Sequence, residues 1–417
     1  MQYKSQFLNE AVARGFIYQS TNLESLDEYL QTPGRGGYVG FDITASSLHV
    51  GHLLPIFTMR LFQKCGHKPF IIVGGGTTKI GDPSFRNKTR PMLSEEQINE
   101  NLKGIKECLL PFLKFGDNEN DAVMLNNNDW LANLNYLDFL RDVGTYFSIN
   151  RMIGFDSVKT KLSENNSLSF LEFNYMILQG FDFYTLFKNY DCRLQLGGQD
   201  QWGNIVNGVE LIHKKLNAEA FALTNPLLTT SDGKKMGKTS NGAVWLSEKL
   251  LSSYDFWQYW RNVQDADVIK LMYLFTDIPV EEIKRMEKIQ GAELNDLKVI
   301  LADAVTSIVR GPESLKGIHQ MTDAMFKGSG NDLSNLDSAQ KFIVKKSDEN
   351  SGIIDVLVNS GLCSSRGDAK RLVRGNGVCV NDVPVDEFYK FSENFNNGEL
   401  IKLSCGKKKN IVILMAE

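Results

Sequence analysis

The sequence predicts an α/β fold: a doubly wound parallel sheet with a helical insertion, followed by an α-helical domain and a small α+β unit. Three observations lead there. Short apolar strands alternate with helical stretches from residue 38 to about 225. That alternation builds a parallel sheet whose ligand crevice lies at the carboxyl ends of the strands. From about 226 to 320 the periodicity turns mainly helical. A polar run from Gly328 to Gln340 then has little to bury and reads as a linker ahead of a basic tail.

Each element has a local reason. Met1 to Ser20 sets Lys4, Glu10 and Arg14 around Phe7, Leu8, Val12 and Phe16. This is an amphipathic helix, without the apolar core and small-residue cleavage site of a signal peptide. Tyr38 to Phe41 is a buried strand that turns into a helix over Leu53 to Phe62. Ile71-Ile72-Val73-Gly74-Gly75-Gly76 is another strand, closed by glycines, and Arg193-Leu194-Gln195-Leu196-Gly197-Gly198 a further one. The mostly helical stretch from about 94 to 190 interrupts the alternation, and Asn126-Asn127-Asn128 reads as a loop. Beyond the linker, a helix capped by Ser364 and Ser365 carries Arg366, Lys370, Arg371 and Arg374. Gly375-Asn376-Gly377 then turns into a strand starting at Val378.

Composition narrows the class. A chain of 417 residues suggests two or three domains, and 42% hydrophobic residues suffice for sizeable cores. No run of about 18 apolar residues exists, so no membrane span is expected. Six cysteines without a CxxC pair indicate neither a disulfide scaffold nor a zinc site, and a cytoplasmic setting is expected. The net charge of −4 does not exclude RNA, because phosphate contact needs only a local basic face. The stripe of Arg366, Lys370, Arg371 and Arg374, with Lys407-Lys408-Lys409, is such a face or else a solvated helix surface.

Two clusters carry the chemistry. His49-Val50-Gly51-His52 lies in a strand-to-helix turn, where unpaired N–H groups and the helix dipole favour an anion. Gly51 admits close approach to the backbone, and the two histidines, a helical turn apart, read as sharing one face. They could be core residues or metal ligands, but no clustered His, Cys or carboxylate supplies a third and fourth ligand. Lys235 and Lys238 stand on a glycine- and serine-rich loop, and alone would be solvated surface lysines. Together the clusters suit an ATP whose triphosphate is clamped while its α-phosphate is attacked.

The first cluster matches the HIGH motif of class I aminoacyl-tRNA synthetases, and Lys235-Met236-Gly237-Lys238-Thr239 matches their KMSKS loop. Tyr38-Val39-Gly40-Phe41-Asp42, Gly81-Asp82-Pro83-Ser84, Tyr175 to Asp182 and Gly197 to Asn204 resemble the bacterial-type tyrosyl-tRNA synthetase family. The likeness covers essentially the whole chain. It implies a Rossmann-like catalytic domain over 1–225, whose insertion at about 94–190 carries a homodimer interface. It further implies an α-helical domain over 226–327, a linker over 328–350 and an S4-like tRNA-binding domain over 351–417.

The resemblance also implies roles. His49, His52, Thr44, Lys235, Lys238, Thr239 and Arg86, with Arg90 behind it, would stabilise the phosphates in the transition state. Tyr38 and Asp182 would hold a phenol, Asp82, Tyr175 and Gln179 an ammonium group, and Gln201 a carboxylate. Asp42, Gly40, Gly51, Gly197, Asp200 and Lys238 would bind ATP, with Mg²⁺ accompanying it and no zinc. Arg366, Lys370, Arg371 and Arg374 would bind tRNA(Tyr). Ile43 stands where the family usually has Pro, Val39 where many members have Cys, and Gln199 where Ser is more usual. The implied reaction joins tyrosine to ATP as tyrosyl-adenylate, then passes tyrosine to the terminal adenosine of tRNA(Tyr). The rival readings are a tryptophanyl enzyme of the same fold, a related HxGH nucleotidyltransferase and a non-enzymatic RNA-binding paralogue.

Overall fold

The computed structural model describes residues 3–82, 93–163, 168–239, 242–326, 341–345, 352–381, 383–395, 400–406 and 409–416. They fall into two compact units, one comprising Met1–Leu251 with Gln258–Arg310, the other Ser252–Trp257 with Gly311–Glu417.

The first unit holds a sheet of β1 (Gln19–Ser20), β2 (Gly36–Phe41), β3 (Lys68–Val73), β4 (Val123–Asn126), β5 (Cys192–Gly198) and β6 (Phe221–Asn225). Their order is β1-β6-β5-β2-β3-β4, and every neighbouring pair is parallel except β1 on β6. The chain runs outward from β2 to β4, then returns to lay β5 and β6 on the other flank. Strand order therefore reverses between β2 and β5, and the loops leaving their carboxyl ends part to open a crevice. Val39, Phe70, Ile71, Val73, Leu194 and Leu196 are all buried, as strands covered by helices on both faces require.

Two helices flank the crevice. Leu53–Lys64 buries Leu53, Leu54, Ile56, Phe57, Met59 and Phe62. Phe170–Tyr190 starts from a capping box in which Glu172 N donates to Ser169 Oγ (3.2 Å) and Ser169 N to Glu172 Oε2 (3.0 Å). Lys161, itself buried, donates to Glu172 at 2.7 Å and completes the pairing of that carboxylate.

Two local expectations change. The amphipathic N-terminal helix stops at Ala13, and Gln19–Ser20 instead joins the sheet as its antiparallel edge. Asn126 closes β4 and Asn127 is buried, so the asparagine run is a strand end inside the protein, not a surface loop.

In the second unit, five strands run in the order Val383–Pro384, Val378–Val380, Leu400–Cys405, Lys409–Ala416, Lys341–Lys345. All pair antiparallel except the last two. The helices Ile353–Asn359 and Arg366–Arg374 bury Ile353, Leu357, Ala369 and Val373 in a core with Val378, Phe391 and Ile413. Lys341–Lys345 lies within the stretch read as linker, yet Val344 is buried and Phe342 packs on the core. The linker residues Gly328 to Gln340 lie outside the described residues. Among the described residues, no helix is long and apolar enough to cross a membrane.

Candidate active site

A cavity of about 680 Å³ fills the crevice where strand order reverses. It gathers Tyr38, Gly40, Asp42 and Thr44 from β2 and the turn after it, and His49, Gly51 and His52 from the start of the next helix. Asp82, Tyr175, Gln179, Asp182, Gly197, Asp200, Gln201 and Lys235 complete the sequence-predicted lining. Arg86 and Arg90 lie outside the described residues, as do the side chains of Lys238 and Thr239. The backbone of Lys238–Thr239 pairs with Gly242–Ala243.

At the cavity floor, Tyr38 and Asp182 are both buried. Tyr38 Oη and Gln179 Oε1 have no hydrogen-bond partner among the described residues. Asp182 accepts from Asn127 Nδ2 (2.9 Å) and Trp130 Nε1 (2.7 Å). Burial pushes the Asp182 carboxyl up to about 7, with the charge of Asp42 adding to it, although both donors pull the other way. Burial and the neighbouring Asp182 likewise push the Tyr38 hydroxyl well above its ordinary range. A buried hydroxyl without a partner beside a carboxylate with spare lone pairs suits one incoming hydroxyl, which donates to Asp182 and accepts from Tyr38.

Asn127 organises this floor and escaped the sequence reading, as did Trp130. Its Oδ1 accepts from Gly76 N (2.8 Å), and its Nδ2 donates to Thr77 Oγ1 (3.0 Å) as well as to Asp182. Thr77 in turn donates to Asp42 Oδ1 at 3.0 Å. The asparagine run was visible as a bias in composition, but nothing local said that its middle residue is buried.

Carboxylates dominate the middle of the cavity. Asp42 also accepts from Tyr175 Oη (3.2 Å), and Asp82 accepts from Gln201 Nε2 (2.8 Å), while Gln201 Oε1 accepts from Asn204 (3.0 Å). Burial raises the Asp200 carboxyl above its ordinary range, the charge of Asp82 adds to this, and Lys235 works against it. Tyr175 and Asp182, seven residues apart on one helix, both face the cavity as their spacing predicts. Gly197 is pressed by Ile205 and Gln201, where a Cβ would lie 2.9 Å from Ile205 Cδ1. Its lack of a side chain thus lets Gln201 reach the site.

At the opposite end the histidines meet differently from the expected shared helical face. His49 is extended (φ −129°, ψ 170°) and precedes a single 3-10 turn, Val50–His52. Reciprocal capping brings the rings together: Gly51 N donates to His49 Nδ1 (3.0 Å) and His49 N to His52 Nδ1 (3.1 Å), with ring centroids 4.0 Å apart. A nitrogen that accepts a hydrogen bond carries no proton, so each neutral ring holds its proton on Nε2 and is a donor there. The crowding explains Gly51, because a Cβ would lie 2.8 Å from His49 Cε1.

The second cluster is stitched to this turn. Gly237 has φ +94°, and a Cβ there would lie 2.7 Å from Gly51 N. Val244 N donates to Gly237 O (3.0 Å), Val50 N to Val244 O (2.9 Å) and Leu246 N to Leu48 O (2.8 Å). The backbone thereby holds Lys235 at the cavity wall beside the histidine turn.

Residues 36–327 match the family of tRNA synthetases class I (W and Y), and residues 352–393 match the S4 domain. The chain is 47% identical over 418 residues to the tyrosine–tRNA ligase of Dinoroseobacter shibae, covering 100% of this chain and 99% of that one. The chain belongs to the tyrosine–tRNA ligase family. Another member, from Novosphingobium aromaticivorans, is 49% identical over 418 residues with full coverage of both chains. The fold matches a C-terminally truncated mitochondrial tyrosyl-tRNA synthetase of Aspergillus nidulans with a TM-score of 0.69 at 27% identity, over 78% of this chain and 94% of that one. For a tyrosine–tRNA ligase, the doubly wound sheet and the S4 unit are the architecture the sequence predicted.

Proposed function

We infer that this protein is a tyrosine–tRNA ligase that activates tyrosine with ATP and transfers it to tRNA(Tyr). The observation that carries the reading of the site is the partnerless Tyr38 hydroxyl beside the buried Asp182 carboxylate. A phenol pairs with both, whereas an indole has no acceptor for Tyr38, and phenylalanine leaves Tyr38 without a partner and gives Asp182 no further donor.

From that anchor, the substrate's ammonium group lies among Asp82, Tyr175 and Gln179, and its carboxylate near Gln201. Asp42 closes the amine end, and Asp200 takes the ribose hydroxyls of ATP, with the adenosine over Gly197 and Gly40 facing the open cavity. The carboxylate attacks the α-phosphate, and pyrophosphate leaves. No protein nucleophile takes part; the catalytic work is positioning and charge stabilisation. His49 and His52 donate from Nε2 to the phosphoryl oxygens, with Thr44 beside them. Lys235 and Lys238, with Thr239 and Arg86, neutralise the leaving pyrophosphate. Mg²⁺ would accompany ATP and would supply further neutralisation of the phosphate charge.

The S4 unit takes the tRNA. Arg366, Lys370, Arg371 and Arg374 are exposed along one helix. Arg366 pairs with Asp355, Arg371 with Asp368 (2.5 Å) and Arg374 with Glu387 (3.2 Å). Exposed pairs of this kind contribute little, so RNA phosphates can replace the carboxylates. Within the insertion, Tyr136, Leu137, Ile149 and Phe170 are 57%, 74%, 63% and 68% exposed, an apolar surface that a second copy would cover in a homodimer. The location that fits this work is cytoplasmic.

The test is ATP–pyrophosphate exchange with each of the twenty amino acids supplied separately. Tyrosine alone should support it. Exchange driven by tryptophan would make the protein a tryptophanyl enzyme, and exchange without any amino acid a plain nucleotidyltransferase.

A further inference from the structure

Among the described residues of the S4 unit, one aromatic side chain is left exposed, while Phe342, Tyr389 and Phe395 are partly buried against the core. Phe391 is fully buried, and Tyr389 packs edge-on against it with centroids 5.4 Å apart. Phe388, beside them in sequence, is 80% exposed. An exposed ring on a mobile tip would mean little, but this one stands on a pinned turn. Phe388 N donates to Asp386 Oδ1 (2.9 Å), and Tyr389 N donates to Asp386 O (3.3 Å). Its other neighbour, Glu387, accepts from Arg374 Nη2 through both carboxylate oxygens at 3.2 Å.

Arg374 is the last residue of the basic helix, so the ring stands at the end of the cationic stripe. Cations that track a phosphate backbone, followed by an exposed aromatic ring on a hydrogen-bonded turn, form the arrangement that takes an unpaired nucleobase. We propose that Phe388 is a stacking platform for one unpaired base of the tRNA whose phosphates lie along Arg366, Lys370, Arg371 and Arg374. This rests on the reading that the S4 unit binds tRNA. The stripe supplies sequence-independent attraction, and the ring fixes where an unstacked base is held. Charge complementarity favours RNA over an apolar protein partner, because the turn that carries the ring is tied through Glu387 to Arg374, the last cation of the exposed stripe.

Full-length protein, with a tRNA(Tyr) transcript as the probe, provides the test. Binding is titrated over a range of salt concentrations for wild type, Phe388→Ala, Phe388→Trp and Lys370→Ala. Phe388→Ala should weaken binding roughly tenfold while leaving the slope of log affinity against log salt unchanged, because no phosphate contact is lost. Phe388→Trp should retain wild-type affinity or exceed it. The proposal is overturned if Phe388→Ala binds as wild type, if its salt slope flattens, if the Trp variant is as weak as Ala, or if Phe388→Ala alters the protein's own oligomeric state. Lys370→Ala tests the underlying reading separately: it should flatten the slope, and an unchanged slope there would remove the tRNA assignment of the helix itself.

Discussion

The Asn127 carboxamide lies 2.9 Å from the Asp182 carboxylate and donates to it from within the protein, at the carboxyl end of β4. Because the Oδ1 of the same group accepts from the backbone of Gly76, the amide cannot flip without losing both bonds. Asp182 is thus presented in one orientation, with its remaining lone pairs toward the cavity.

Removing that donor should loosen the phenol end of the site alone. Asn127→Ala leaves Asp182 with Trp130 as its only side-chain donor among the described residues, which favours the protonated carboxyl. Tyrosine affinity should fall roughly tenfold, in line with the loss of a buried bond to a charged group. Equilibrium titration by intrinsic fluorescence reads this directly, and Trp130→Phe should move it in the same direction. ATP affinity should stay near wild type in both variants.

Tyrosine affinity should also depend on pH near neutrality. In the proposed site the ionised Asp182 receives the phenol hydrogen, and burial pushes its carboxyl up to about 7 in the free protein. As pH falls through that value the carboxylate takes up a proton and ceases to be a full acceptor. Binding should therefore weaken toward tenfold per pH unit below about 6.5 and level off above about 7.5. Calorimetry in buffers of differing ionisation enthalpy should show proton release on binding at pH 6.5. A flat profile between pH 6 and 8 would mean that another group receives the phenol.

The phosphate end should behave differently. Gly237→Ala places a Cβ against Gly51 N at a backbone conformation that L side chains rarely adopt. The histidine turn and the lysine loop then cannot keep their present packing. The rate of adenylate formation should drop at least tenfold while the tyrosine dissociation constant stays within about twofold, because contacts made chiefly in the transition state are lost. His49→Ala should show the same split. Pre-steady-state fluorescence separates the two constants, and a parallel rise in the tyrosine constant would identify ground-state binders instead.

The strands Tyr38–Phe41, Ile71–Val73 and Arg193–Gly198 were legible because apolar runs bounded by glycine leave little choice. The histidine and lysine clusters are each ambiguous alone, and take their reading from standing together and from matching the HIGH and KMSKS motifs. The manner in which His49 meets His52 was not, since a helical repeat and a capped 3-10 turn place a ring three residues away in similar ways. Only backbone angles distinguish them. Asn127 and Trp130 were hidden for a different reason. Their importance comes from β4 lying next to β3, a non-local pairing, whereas the local sequence of three asparagines resembles any polar loop.

Cutting the chain near Asp337 should separate the two steps. Among the described residues the cavity is lined from Tyr38 to Trp245, so tyrosine-dependent ATP–pyrophosphate exchange should persist at close to the full-length rate. Charging of tRNA(Tyr) should fall at least tenfold, because the stripe proposed to bind tRNA phosphates is gone. Charging at the full-length rate would mark the basic helix as ordinary solvated surface.

In the proposed site, the cavity floor reads a phenolic hydroxyl through Tyr38 and Asp182. The most direct measurement compares exchange with tyrosine and with phenylalanine in wild type and in Tyr38→Phe, a change that removes one buried oxygen and little volume. The kcat/KM for tyrosine should fall about tenfold, that for phenylalanine should hold or rise, and discrimination should shrink accordingly. An unchanged ratio of the two would contradict the account and place recognition of the amino acid elsewhere.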